Sequence, residues 1–173
     1  LELFVTGDGE DLLGREDDLV GIITFARYAD TVCPLTLSHD AVVYFARNLT
    51  INDRPNEDGT AYGDATALAS ARLSTLEDAL WHGAADVGRE VKSKVIVLLT
   101  DGENNCGRHL PAQAAALAKE WGIRVYTISL TDPPRPRRVK DGDGGETIQV
   151  AAPPSAAEQV LEQMAETTGG LYR

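Results

Sequence analysis

The sequence predicts an α/β fold in which an open, doubly wound, mainly parallel sheet carries one antiparallel edge strand. The first indication is the unbroken apolar run at residues 95–100, which is typical of a strand covered on both faces. The second is a helical apolar pattern at residues 111–121, followed by a β-branched run at residues 123–130. Together they predict a strand-helix-strand unit with a parallel crossover, which places Asp101 at the ligand-binding edge of the sheet.

Length, charge and the first residues set limits on what the chain is. Its 173 residues, of which 43% are hydrophobic, predict a single domain over residues 1–173. A net charge of -11 opposes nucleic acid or a direct contact with an anionic membrane as partner. No apolar run reaches the roughly 18 residues needed to span a bilayer. Because the chain begins at Leu1 in an apolar cluster resembling the end of a helix, we expect it to be a piece of a longer protein.

The first half of the chain predicts a hairpin followed by two helices. Residues 19–25 and 29–36 are apolar runs joined by a link too short for a parallel crossover, so they form an antiparallel hairpin, with Pro34 at a sheet edge. Ser38 is a candidate cap for the next helix. A loop at 52–59 leads to a long helix over residues 65–80, and residues 81–93 predict an irregular connection. The expected buried stripe of the first helix is Val42, Phe45, Ala46 and Leu49.

The last third combines a proline-rich segment with a well-marked helix. Residues 131–154 predict an exposed excursion, whose basic cluster is either a solvated loop or a docking site for an acidic partner. Ser155 and Glu158 have the spacing of a capping box, and residues 171–173 resemble the start of another strand. The cluster consists of Arg135, Arg137, Arg138 and Lys140, and the apolar face of the helix of Val160, Leu161, Met164 and Ala165.

Two polar loops carry the chemistry. The loop DGTAYGDA at residues 58–65 precedes the long helix, and the loop TDGENN at residues 100–105 follows the apolar strand. A hydroxyl from Thr60 and a carboxylate from Asp101 are hard oxygen ligands of the kind Mg²⁺ prefers. The residues alone leave simpler interpretations open, since Thr-Asp-Gly is a common turn and Thr60 is also a possible helix cap.

These two loops, with four further segments, resemble a von Willebrand factor A domain. The segments are KVIVLLTDGENN at 94–105, DGTAYGDA at 58–65, DLVGIITFA at 18–26, CPLT at 33–36, GIRVYTI at 122–128 and TGGLY at 168–172. They occur in the family's order over most of the chain. Within the family they are most similar to the bacterial, membrane-anchored aerotolerance proteins of the BatA type.

The resemblance implies a metal-ion-dependent adhesion site that binds Mg²⁺. By motif position, Thr60 is the direct ligand and Asp101 acts through water. The family's other ligands come from an Asp-x-Ser-x-Ser loop after its first strand, and no such motif precedes Leu19. Since two ligands replace little of the hydration shell of the ion, we expect the chain as printed to bind Mg²⁺ weakly or not at all, in contrast to the intact parent.

Two functional hypotheses follow, one for an interaction module and one for an enzyme. The resemblance implies a noncatalytic protein-interaction module in a membrane-anchored bacterial parent, whose protein partner supplies an acidic side chain to the metal. The rival is a Mg²⁺-dependent phosphoryl-transfer or hydrolytic enzyme that uses Asp101 as nucleophile or metal ligand. The sequence has no phosphate-binding G-x-x-x-x-G-K-[ST] loop and no evident catalytic constellation, so the interaction module is favoured.

The strand order implied by the resemblance leads to two structural expectations. It places the missing first strand between residues 19–25 and 95–100, so that the gap must be closed by direct pairing, by a strand from another copy, or by residues absent from the printed sequence. We favour the third. It also separates the strands near Cys33 and Cys106 by about three steps, roughly 14 Å, so no disulfide joins them.

Overall fold

The computed structural model describes residues 1–10, 14–51, 56–82, 91–130, 137–140, 146–149 and 154–173. The elements in chain order are α1 (Glu2–Thr6), β1 (Val20–Phe25), β2 (Ala29–Thr36), α2 (His39–Arg47), α3 (Tyr62–His82), β3 (Lys94–Thr100), α4 (Pro111–Glu120), β4 (Ile123–Ser129), β5 (Arg137–Lys140), β6 (Glu146–Gln149) and α5 (Ala156–Thr168). Within the described residues, no helix is both long and apolar enough to cross a membrane.

The predicted strand-helix-strand unit is confirmed. Strands β3 and β4 pair in parallel over seven consecutive residue pairs, from Lys94 with Ile123 to Thr100 with Ser129. The intervening helix α4 begins with Pro111 and ends before Gly122, whose positive φ of 67° suits a residue without a side chain. A parallel bridge between Thr127 and Tyr172 agrees with the strand expected at residues 171–173.

The antiparallel hairpin is also confirmed. Strand β1 pairs with β2 from Val20 opposite Thr36 to Phe25 opposite Ala29, with register irregularities on either side of Ile22. Helices α1, α2 and α3 contact this hairpin. Val5 of α1 and Val42 of α2 pack with Cys33, while α3 contacts both strands.

The described strands form three separate two-stranded ladders rather than one continuous sheet. Within the described residues β1 is not paired with β3, although α3 contacts both, so direct pairing does not close the expected gap. The expectation that residues 95–100 lie inside the sheet is therefore not met in this part of the chain. Among the described residues, β3 is paired on one side only, with β4.

Helices α3, α4 and α5 share one face of the β3–β4 pair. Leu98 packs with Tyr62 of α3, Ala115 of α4, and Leu161 and Met164 of α5. The opposite face of β3 is open in the described structure, because Val95, Val97 and Leu99 are 40%, 48% and 49% exposed. The apolar sequence of β3 predicts a strand covered on both faces, but the described residues cover one face only.

Helix boundaries and burial differ from the sequence predictions in two places. Helix α3 begins at Tyr62, three residues earlier than expected, and continues through His82; residues 83–90 of the predicted irregular connection lie outside the described part of the chain. In α2 only Val42 is fully buried. Phe45 of the expected stripe is exposed, and so is Leu49, which follows the end of the helix at Arg47. Periodicity identified the apolar face of α2, but it does not determine what covers that face.

Of the two predicted helix caps, the one at Ser155 is confirmed and the one at Ser38 is not. Ser155 begins α5 with both bonds of a capping box, since its Oγ accepts from the nitrogen of Glu158, whose carboxylate in turn accepts from the nitrogen of Ser155. Ser38 precedes α2 as expected, but its side chain makes no capping bond.

The segment predicted as an exposed excursion contains secondary structure. Strands β5 and β6 pair antiparallel, from Arg137 opposite Gln149 to Lys140 opposite Glu146. Turn-forming residues around a segment predict its ends, but they do not exclude a short hairpin inside it. Residues 131–136, 141–145 and 150–153 of the same prediction lie outside the described ranges.

Candidate metal centre

The structure brings the two polar loops together. Thr60 lies just before α3, and Asp101 directly follows β3. The hydroxyl of Thr60 faces the Asp101-Gly102 turn, since a Cβ built on Gly102 would lie 3.7 Å from Thr60 Oγ1. The two residues singled out from the sequence therefore lie on adjoining loops at the carboxyl end of β3.

Asn105 joins these loops through two hydrogen bonds to a single residue. The backbone nitrogen of Thr60 donates to Asn105 Oδ1 at 2.8 Å, and the backbone nitrogen of Asn105 donates to the carbonyl of Thr60 at 3.1 Å. Both backbone groups of Thr60 are thereby held by one residue of the loop that carries Asp101. The position of Thr60 along its own chain is consequently set from the other loop.

Asn104 supplies the side-chain cap of α3. The residue preceding α3 is Ala61, which has no side-chain acceptor, although its carbonyl accepts from Ala65 as a helix cap does. Asn104 Oδ1 instead accepts from the nitrogen of Gly63 at 2.8 Å, and its Nδ2 donates to the carbonyl of Cys106 at 3.0 Å. The start of α3 is thus fastened to the Asp101 loop as well.

Asp64 holds the segment that follows. Its carboxylate accepts from the backbone nitrogens of Arg108 and His109 and from Nδ1 of His109, at 2.7 to 3.0 Å. Burial by itself raises the pKa of Asp64, but these hydrogen bonds outweigh burial and hold the pKa below its usual value. The carboxylate of Asp64 therefore anchors the backbone at Arg108 and His109.

Two glycines allow the backbones to approach this closely. A Cβ on Gly63 would lie 2.1 Å from the carbonyl oxygen of His109, and one on Gly59 would lie 2.7 Å from Cys106 Sγ. Gly59 also has a φ of 149°, which other residues rarely adopt. A side chain at Gly63 would require the backbone at His109 to move, whereas one at Gly59 would displace the Cys106 thiol and adopt an unfavourable φ.

The β1–β2 turn lies under the same loops. The nitrogen of Ala61 donates to the carbonyl of Ala26 at 2.8 Å, and that of Arg27 donates to the carbonyl of Glu57 at 3.1 Å. Cys106 Sγ lies 3.8 Å from the carbonyl oxygens of Ala26 and Arg27. The site region is therefore assembled from three separate parts of the chain.

Sequence reasoning missed the residues that hold the site together. Asn104, Asn105 and Asp64 were part of the matched segments, but none was assigned a role. Their partners lie 41 to 45 residues away, so no local spacing signals them. Two consecutive asparagines, three and four residues after the strand-end Asp101, are a signal that polar side chains are needed there.

The donor atoms agree with Mg²⁺ in kind but not in number. Thr60 Oγ1 and the exposed Asp101 carboxylate are hard oxygens, as that ion prefers. Octahedral coordination requires six ligands, and the described residues contain no group of three or more His, Cys, Asp or Glu side chains suited to a metal. The described residues therefore offer part of a Mg²⁺ site, which waters or further groups would complete.

Comparison with models of known families gives a match to the von Willebrand factor type A domain over residues 3–169. The chain belongs to this family. The family assignment agrees with the expected α/β fold class.

Solved structures show the same fold. An aerotolerance-related membrane protein from Bacteroides fragilis is 24% identical with a TM-score of 0.61, over 92% of this chain and 72% of that one. The protein BatB from Bacteroides thetaiotaomicron is 26% identical with a TM-score of 0.58, over 90% of this chain and 70% of that one. The expected similarity of this von Willebrand factor A domain to bacterial aerotolerance proteins is confirmed.

A curated relative is an uncharacterized protein of Borreliella burgdorferi, 28% identical over 116 residues. The match includes 67% of this chain, which spans only 30% of the length of that relative.

Proposed function

We propose that this von Willebrand factor A domain is a noncatalytic protein-interaction module with a Mg²⁺-dependent adhesion-type site. Thr60 is the direct ligand and Asp101 acts through a bound water. The observation that carries the proposal is the placement of the Thr60 hydroxyl beside the Asp101 turn, with both backbone groups of Thr60 held by Asn105. A bound ion would supply an open coordination position with positive charge.

The partner is a protein that offers an acidic side chain to that position. The chain carries a net charge of -11, so it repels an acidic partner. A cation between Asp101 and the acidic side chain of the partner would remove this repulsion at the site. Recognition would therefore depend on the metal, and a chelator would abolish it. We place the domain in a parent anchored in a bacterial cell membrane, which is supported by the description of the Bacteroides fragilis protein as a membrane protein.

An NMR titration with Mg²⁺ tests the metal site, because changes in the backbone amide chemical shifts detect binding even when the dissociation constant is in the millimolar range. We expect saturable shifts confined to residues 58–64 and 100–105, lost in Thr60→Val and in Asp101→Asn. Asp30→Asn, on an exposed position of β2, and Thr75→Val, on an exposed position of α3, are the matched controls that retain them. A wild-type chain with no saturable response, or variants that bind like wild type, would contradict the proposal.

The enzyme hypothesis is tested separately. It requires Mg²⁺-dependent hydrolysis of a phosphate ester or a nucleotide that is abolished by Asp101→Ala. We expect no turnover above that of the Asp101→Ala variant. Robust turnover that depends on Asp101 would replace the interaction module by a phosphoryl-transfer or hydrolytic enzyme.

A further inference from the structure

We propose that Asn105 and Asn104 are positioning residues of the metal site, which hold Thr60 beside the Asp101 turn before any ion binds. This inference rests on the proposed function, since the site that they position is the Mg²⁺ site. Neither side chain is assigned a contact with the metal. Both act through backbone groups of the opposite loop.

The direction of each hydrogen bond is determined by chemistry. A backbone N–H only donates, so the amide oxygen of Asn105 must face Thr60 and that of Asn104 must face Gly63. Asn104 then presents its Nδ2 to the carbonyl of Cys106, which only accepts. Each amide therefore has one orientation that satisfies its partners.

Two consecutive asparagines make three bonds to Thr60, just before α3, and to Gly63, in its first turn. Asn105 holds both backbone groups of Thr60, and Asn104 holds the nitrogen of Gly63 three residues later. A rotation of the Thr60 loop away from Asp101 breaks at least one bond to each asparagine. Residues 104 and 105 thus hold the Thr60 loop directly against the loop that carries Asp101.

Neutral side chains suit this role beside a cation site. An aspartate at either position would also accept the bond, but it would add a negative charge where the net charge is already -11. At residue 104 it would also place an oxygen against the carbonyl of Cys106. Asparagine thus provides the acceptor without competing with Asp101 for the ion.

Amide hydrogen exchange without any divalent ion tests the positioning. Asn105→Ala removes the hydrogen bond to the Thr60 amide and is expected to speed hydrogen exchange of that amide about 5- to 10-fold. Asn104→Ala is expected to have the same effect on the Gly63 amide. Asn105→Asp keeps the acceptor and is expected to restore slow exchange at Thr60. Asn48→Ala removes a comparable bond, from Asn48 to the carbonyl of Tyr44 at the end of α2, and is expected to change neither amide.

The second measurement is the apparent dissociation constant for Mg²⁺, obtained from amide chemical shifts in an NMR titration. We expect it to rise about 5- to 10-fold in Asn105→Ala, because the Thr60 loop must then lose conformational entropy when the ion binds. Unchanged exchange at Thr60 in Asn105→Ala, failure of Asn105→Asp to restore it, or an equal effect of Asn48→Ala would overturn the inference. The exchange measurement requires no metal, so it decides the positioning role even if the wild-type chain does not respond to Mg²⁺. That result would count against the proposed function alone.

Discussion

The Asp64 carboxylate receives two hydrogen bonds from the same residue, His109: Oδ1 lies 2.7 Å from its backbone nitrogen and 2.8 Å from its Nδ1. The two residues are 45 positions apart, at the start of α3 and just before α4. With the bond from Arg108, this contact connects α3, which contacts β3, to the segment that leads into α4, which contacts β4.

Replacing Asp64 by Asn is expected to lower the free energy of unfolding by about 1 to 3 kcal/mol at neutral pH, because charge-assisted hydrogen bonds are lost. The folded-state pKa of Asp64 is depressed, so its contribution is present above its ordinary pKa of 3.8 and is lost as the pH falls through the folded-state value. The difference between wild type and variant should therefore shrink in acid. Urea unfolding at several pH values measures it, with Asp30→Asn as control; a difference that grows in acid would contradict the sign.

Gly63→Ala is expected to destabilise the protein more than Gly169→Ala. A Cβ on Gly63 would overlap the carbonyl oxygen of His109, while one on Gly169 meets nothing within 4 Å and suffers only the positive φ of 74°. The positive φ at Gly169 costs an alanine about 1 to 2 kcal/mol. We expect the steric overlap at Gly63 to cost more. Thermal unfolding of both variants checks the order. Equal losses would mean that the loops at Gly63 separate easily.

Adjacent leucines of β3 provide a matched test of its two faces. Leu98 is 4% exposed and packs against three helices, whereas Leu99 is 49% exposed. Leu98→Ala is expected to cost about 2 to 5 kcal/mol, and Leu99→Ala much less because less apolar surface is involved. Urea unfolding gives both values. An equal cost would show that the face bearing Leu99 is covered in solution.

The two cysteines are expected to remain free thiols with different reactivity. Both are unpaired in the structure; Cys33 is buried, and Cys106 is partly exposed. Burial also raises the pKa of Cys33, so less reactive thiolate is present at neutral pH. Mass spectrometry after brief alkylation should find Cys106 labelled first, and unfolding without reductant should release both thiols. A single modified thiol after complete unfolding would contradict this.

Local physical signals account for what could be predicted from the sequence. The Ser155 and Glu158 spacing, the glycine after α4 and the short link between β1 and β2 each determine structure among near neighbours. The exposure of Phe45 could not be predicted, because periodicity describes one helix and not its surroundings. Likewise the resemblance indicated Thr60 and Asp101, but the hydrogen bonds that join their loops connect residues too distant in sequence to leave a pattern.

The long separation between Thr60 and Asn105 has a consequence for folding kinetics. The β1–β2 hairpin and the β3–α4–β4 unit each form from neighbouring segments, whereas the Thr60 to Asn105 contact closes a loop of 45 residues. Closing a loop costs conformational entropy that increases with its length, so non-local contacts form slowly. The loops of the candidate metal centre should then dock late in folding, after the rate-limiting step. Substitutions at Asn105 would accordingly accelerate unfolding while leaving the folding rate nearly unchanged.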